Sequence, residues 1–171
     1  RLNGSPVGRS ATIDPELFAV LSEVFAWAPK TERAFDPSVL PLMNAWDLRG
    51  AGRIPTADAL AAARSAAGSG RFRFDSATGT AARLDPAAGI DEGGWGKGYA
   101  LDRAALRLEA AGVKDALLDL GGEVLARGHR AKAKDWTIAI AHPRQRSRPV
   151  VVLGLSNLAA ATSGNSERGR D

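Results

Sequence analysis

Cysteine is absent from the 171 residues, which rules out disulfide bridges and thiolate metal sites and leaves the redox compartment unreadable. Histidine occurs twice, as His129 and His142, too far apart for the i, i+4 metal pair of a helix. Aromatic residues make up only 6% of the chain, too few for a platform on which the bases of a single strand stack. No apolar run approaches the ~20 residues needed to cross a bilayer. Neither a fixed-period repeat nor a low-complexity tract is present. The chain opens on Arg1 with no signal peptide, and this excludes nothing, because export signals are removed from mature chains.

What is present is ordinary for a globular protein: 44% apolar and 25% charged residues. The length allows one or two small domains. Net charge is +4, with eighteen arginines against five lysines. Much of the excess lies between Arg127 and Arg148, where Arg130, Lys132, Lys134, Arg144 and Arg146 face one acid, Asp135. Such a stretch can meet nucleic acid or an anionic surface. With Trp136 its only aromatic residue, it reads instead as a solvated loop and strand edge.

Asp14-Pro15 predicts a helix start, with Leu17, Val20, Leu21, Val24 and Ala28 at helical spacing and Pro29 as the stop. Residues 31–46 read as irregular, with prolines at 37 and 41 and an unusual load of apolar side chains that must pack on core or ligand. Thr56 predicts a second helix to about Ala67, and Arg71 to Leu84 a strand hairpin. A third helix is expected from Tyr99 to Ala111. Strands follow at 116–120, 123–126, 136–140, 150–155 and 158–162. Early helices and then consecutive strands predict an α+β fold with a largely antiparallel sheet.

The most informative stretch is Asp91-Glu92-Gly93-Gly94-Trp95-Gly96-Lys97-Gly98-Tyr99. Glycine permits close backbone approach, and free amides at a helix start attract anions. Two readings stay open on spacing alone: a phosphate-type site, or a tight strand-to-helix turn. The familiar glycine motifs do not fit. A P-loop would need glycine at Asp91 and Ser or Thr at Gly98, and a dinucleotide fingerprint would need glycine at Tyr99. Ser163 lacks the G-x-S-x-G elbow, and Asp119 with Glu123 reads as the charged shoulders of a turn at Gly121-Gly122.

Five segments in order carry a family resemblance: Ala34-Phe35-Asp36-Pro37-Ser38-Val39-Leu40-Pro41-Leu42 with Trp46; Asp91 to Asp102; Ala116 to Glu123, ending Leu-Gly-Gly-Glu; Trp136 to Pro143; and Ala161-Thr162-Ser163-Gly164-Asn165. Together the chain resembles the FAD:protein FMN transferases, the ApbE family of flavin transferases. The resemblance implies a T-fold-like architecture, helices packed on a largely antiparallel sheet, with residues 1–171 forming a single partial domain.

It also implies an activity. FAD is cleaved at its pyrophosphate, with magnesium, and FMN passes to a threonine or serine hydroxyl of an acceptor protein while AMP leaves. Some members hydrolyse FAD to FMN and AMP, and a non-catalytic FAD-binding module is a third reading. Asp91 and Lys97 match flavin-nucleotide contacts, and Gly94 matches the position whose carbonyl helps hold the metal. Ala34, Phe35 and Asp36 match the stretch lining the cofactor, while Ser163 and Gly164 are adjacent to the site. No catalytic residue is assigned: the family's H-x-x-D-P-x-T-G motif has no counterpart in the sequence, and neither histidine matches it. Members are usually exported and often lipid-anchored, which makes a location outside the cytoplasm an expectation.

Departures from the family pattern are local. Glu92 stands for leucine, Trp95 for isoleucine, Gly96 for alanine, Glu32-Arg33 for Gly-Gly and Ser166 for an aromatic residue. A buried, unpartnered glutamate is costly, so Glu92 is expected to be exposed or paired.

Overall fold

The computed structural model describes residues 2–164, so Asn165 and Ser166 lie outside the described residues. The chain divides into two compact units, Arg1–Gly94 and Trp95–Asp171.

In the first unit, α1 (Pro15–Lys30) starts as its sequence dictates. The Asp14 carboxylate accepts from the amides of Glu16, at 2.9 Å, and Leu17, at 3.2 Å, a cap whose loss costs about 1 kcal/mol. Its buried face is Val20, Leu21, Val24 and Ala28. Phe25 meets Phe72 and Phe74 edge to face, with centroids 5.5 and 4.8 Å apart. Those two rings stand on β2 (Phe72–Asp75), which pairs antiparallel with β3 (Thr80–Arg83). A short β1 (Ala11–Thr12), in a region the sequence marked as neither helix nor strand, completes the sheet in the order β1-β3-β2.

The expectation that 31–46 is wholly irregular is corrected, because α2 spans Leu40–Ala45. Pro41 sits in its first turn, where a missing amide costs no helical bond. α3 (Ala57–Ala66) is capped by the Thr56 hydroxyl on the Ala59 amide.

The second unit contains α4 (Gly96–Ala110), β4 (Ala116–Leu120), β5 (Glu123–Arg127), β6 (Trp136–Ala141), β7 (Pro149–Leu155) and β8 (Leu158–Ala160). Its sheets, β4-β5-β8 and β6-β7, are antiparallel throughout. β5 is buried on both faces. Leu125 packs with Leu101 and Ala105 of α4, while Val124 and Ala126 pack with Leu155, Trp136 and Ile138. Trp136 thus rests its half-buried ring against this core. The cations from Arg130 to Arg148 are solvent-exposed. The α+β class with antiparallel sheets follows, divided among three small sheets.

The exit of α1 carries local strain. Arg33 N donates to Ala28 O at 2.8 Å and Glu32 N to Pro29 O at 3.2 Å, the paired bonds of a Schellman closure. Such a closure favours glycine after the cap, yet Glu32 (φ 51°) and Arg33 (φ 65°) occupy left-handed backbone. These are the two positions where the resembled family carries Gly-Gly. A side chain there costs roughly 1–2 kcal/mol, partly offset by the greater unfolded-state freedom of glycine. Glu32→Gly is expected to raise the thermal midpoint by about 2–4 °C. A lower midpoint in a melting experiment would show that Glu32 contributes more than its strain removes.

Candidate functional site

The first-unit part of the site is built by the chain leaving α1. The Thr31 hydroxyl donates to Trp27 O at 2.9 Å and accepts from the Phe35 amide at 3.1 Å, which fixes where Phe35 emerges. Asp36 acts as a strut. Its Oδ1 accepts from the amide and hydroxyl of Ser38, and its Oδ2 accepts from Ser69 N at 2.9 Å. Beyond it, Pro37 O accepts from Asp91 N at 2.8 Å, and Leu40 N donates to Gly89 O at 3.3 Å. Segments 37–40 and 89–91 thus run side by side. The neighbouring Ile90 is clamped through both its amide and its carbonyl by the Asn3 side chain.

This pairing brings Phe35 against the glycine stretch. A Cβ placed on Gly94 would lie 3.3 Å from Phe35 Cε2, so the ring rests where any other residue would crowd it. Ala34 is exposed and Phe35 half-buried. Three of the site residues read from sequence, Phe35, Asp91 and Gly94, are therefore brought together within one unit.

Asp91 is buried and its carboxylate is held from two sides. Oδ1 accepts from Gly93 N at 2.8 Å, and Oδ2 takes an ion pair from Arg49 at 2.6 Å. The same Arg49 nitrogen reaches Glu92 Oε1 at 2.9 Å. Glu92 is thus exposed and paired at once, as burial cost requires. The hydrogen bond it donates to Glu92 and then the charge of Asp91 push the Arg49 guanidinium above its ordinary value, so it stays a cation at every working pH. Sequence reasoning missed Arg49, and the unexplained acid at Glu92 was the one signal that called for a cation.

The second-unit part is the start of α4. The helix begins at Gly96 rather than at Tyr99, which corrects the expected boundary and places Lys97 and Gly98 in its first turn. No side chain caps this end at Trp95. An acid arrives from β5 instead. Glu123 Oε2 lies 3.5 Å from Lys97 Nζ, and its Oε1 lies 2.9 Å from where a Gly98 Cβ would stand. Gly98 makes room for a carboxylate beside the positive end of the helix dipole. The turn reading survives for Asp119, which accepts from Gly122 N at 2.8 Å, while Glu123 is a partner of Lys97.

Ser163 and Gly164 are exposed coil after β8. His129 forms no triad, because Ser156 and Asp135 approach the same ring nitrogen, Nδ1, at 3.3 and 3.8 Å. A relay needs the two nitrogens to face different partners. Among the described residues no group of three or more histidine or acidic side chains could hold a metal ion.

Set beside known proteins, the whole chain, residues 1–171, matches the family model described as the ApbE family. The chain belongs to the ApbE family. It is 36% identical over 165 residues to the FAD:protein FMN transferase of Rhodobacter capsulatus, covering 94% of this chain and 31% of that protein. To the Haemophilus influenzae protein of the same name it is 29% identical, covering 90% of this chain and 46% of the relative. The crystal structure of the ApbE protein from Thermotoga maritima superposes with a TM-score of 0.89 at 28% identity, over 97% of this chain and 54% of that one. The flavin transferase ApbE of Vibrio cholerae superposes with a TM-score of 0.83 at 26% identity, over 99% and 55%. The chain spans about a third to a half of the length of these relatives.

The contact of Phe35 with Gly94 can be tested by crowding it. Gly94→Val is expected to cost about 1–3 kcal/mol in chemical denaturation. Phe35→Ala in the same chain should recover part of that loss, a non-additivity of neighbours in contact. Strict additivity would show that the ring does not rest on Gly94.

Proposed function

We propose that the protein carrying this chain transfers FMN from FAD onto a threonine or serine hydroxyl of an acceptor protein and releases AMP, with magnesium. The observation that carries the reading is the placement of Phe35 over Gly94 beside the buried Asp91, within a chain of the ApbE family. An aromatic ring on an open glycine backbone suits a flat heteroaromatic ligand. A fixed carboxylate suits hydroxyl or amine donors of a nucleotide.

The reaction is substitution at phosphorus. The acceptor oxygen bonds to the FMN phosphorus, the bond to the AMP oxygen breaks, and the hydroxyl proton passes to a base. The contacts proposed for FAD are Ala34, Phe35, Asp36 and Asp91 in the first unit and Lys97, Ser163 and Gly164 in the second. For magnesium the Gly94 carbonyl is the one ligand proposed from this chain. The described side chains do not assemble a metal cage by themselves, so no step is derived through the ion and no base is assigned here. The proposal includes a single transferase domain to which residues 1–171 contribute, and a location outside the cytoplasm with any membrane attachment through a lipid anchor.

The test is incubation of the full-length protein with FAD, magnesium and a threonine-bearing acceptor. FMN fluorescence on the denatured acceptor together with released AMP supports transfer, and AMP release at an equal rate without acceptor marks a pyrophosphatase. Absence of both bound FMN and released AMP would overturn the proposal. Lys97→Ala is expected to weaken FAD binding about tenfold, the scale of one charge-assisted hydrogen bond. The half-exposed pair with Glu123 is worth under about 1 kcal/mol, so the melting midpoint should barely move. Unchanged FAD affinity would return this part of the glycine stretch to a plain turn.

A further inference from the structure

We propose that Arg49 is a positioning residue for the flavin-nucleotide site, fixing the Asp91 carboxylate so that the backbone of Gly93 and Gly94 is held open to ligand. The proposal rests on the reading of Asp91 as a nucleotide contact. Asp91 keeps only 5% of its side chain exposed, whereas Arg49 keeps 54%. A carboxylate so deep needs donors in fixed places, and two of them come from Gly93 N and Arg49. Loss of the guanidinium would remove the ion pair that helps to fix Oδ2. The bond from Gly93 N to Oδ1, which shapes the turn, would loosen with it.

Arg49 is itself held, which distinguishes it from a surface cation that happens to lie near an acid. Its loop follows α2 and is closed by Arg53, whose side chain donates to the carbonyls of Asn44 at 2.8 Å and Ala45 at 2.9 Å. Arg53 N bonds Trp46 O at 2.8 Å, and Asp47 Oδ2 accepts from Gly52 N at 3.2 Å. The short ladder presents Arg49 to the 91–92 carboxylates. Glu92 is the second anchor, which gives a physical reason for an acid where the resembled family carries leucine. The two anchors have different consequences: the link to Asp91 shapes the site, while the link to Glu92 steadies the arginine. Both bonds leave one guanidinium nitrogen, so a lysine ammonium, on a differently shaped stem, can restore them only in part.

The experiment measures FAD affinity of the full-length protein by fluorescence quenching for wild type, Arg49→Met, Arg49→Lys and Glu92→Leu. Hydrogen-exchange protection of the Gly93 amide is read on the same proteins without FAD. Arg49→Met is expected to weaken FAD binding roughly tenfold, the scale at which outer partners of a binding group act, and to lose Gly93 protection. Arg49→Lys should recover part of both, and Glu92→Leu should show a smaller loss than Arg49→Met. Unchanged FAD affinity in Arg49→Met overturns the proposal even if protection falls, and unchanged protection overturns it whatever FAD does. Absence of FAD binding by wild type would defeat the functional reading, while the Gly93 measurement still decides whether Arg49 fixes Asp91. If Arg49→Met does not fold, Arg49→Gln, which keeps donors without charge, takes its place under the same criteria.

Discussion

A carboxylate taken out of water must be met by donors, and the turn at residues 91–94 is organised around meeting that demand at Asp91. Gly93 supplies an amide from one side and Arg49 a guanidinium from the other. The amide of Asp91 is spent on Pro37 O, so the residue also binds the segment leaving α1 to the glycine stretch. From that follow the seating of Phe35 on Gly94 and the open backbone beside it. The bonds from Ser69 N to Asp36 and from Leu40 N to Gly89 O fix the same segment at its other positions.

The second unit meets a related demand in a different way. There the acid comes from a strand, not from the turn itself. Glu123, at the start of β5, reaches the first turn of α4, where the absent side chain of Gly98 leaves it room and Lys97 supplies the counter-charge. β5 can hold that position because both of its faces are packed, by α4 on one side and by β6 and β7 on the other. The glycines of this stretch therefore serve two purposes. Gly94 gives space to a ring, and Gly98 gives space to a carboxylate.

Legibility from sequence followed the range of the interaction. The cap at Asp14-Pro15, the cap at Thr56, the β2–β3 hairpin and the alternation of Trp136, Ile138 and Ile140 are local patterns, and each element stands where its pattern put it. The turn chemistry of Asp119 was legible for the same reason. Arg49 with Asp91, Asn3 with Ile90 and Lys97 with Glu123 join residues far apart in the chain, and no local periodicity announces such pairs. α2 was missed because Pro41 was weighed as a breaker when it lies in the first turn, where proline is tolerated. The α4 boundary was set too late because Gly96 and Gly98 have poor helix propensity, a local cost outweighed by the space that Gly98 gives to Glu123. For the candidate site, ordered motifs nominated residues, and the fold then showed what holds Phe35, Asp36, Asp91 and Lys97.

The chain belongs to the ApbE family, and flavin-nucleotide binding is the role proposed for it, with transfer chemistry proposed for the protein of which it forms a part. The most direct measurement is an FAD titration of the full-length protein followed by backbone amide NMR shifts. The account predicts that the largest changes fall on Phe35, Gly93, Gly94 and Lys97, with the segment from Arg127 to Arg148 unmoved. Changes confined to that basic segment, with Phe35 and Gly94 silent, would contradict it.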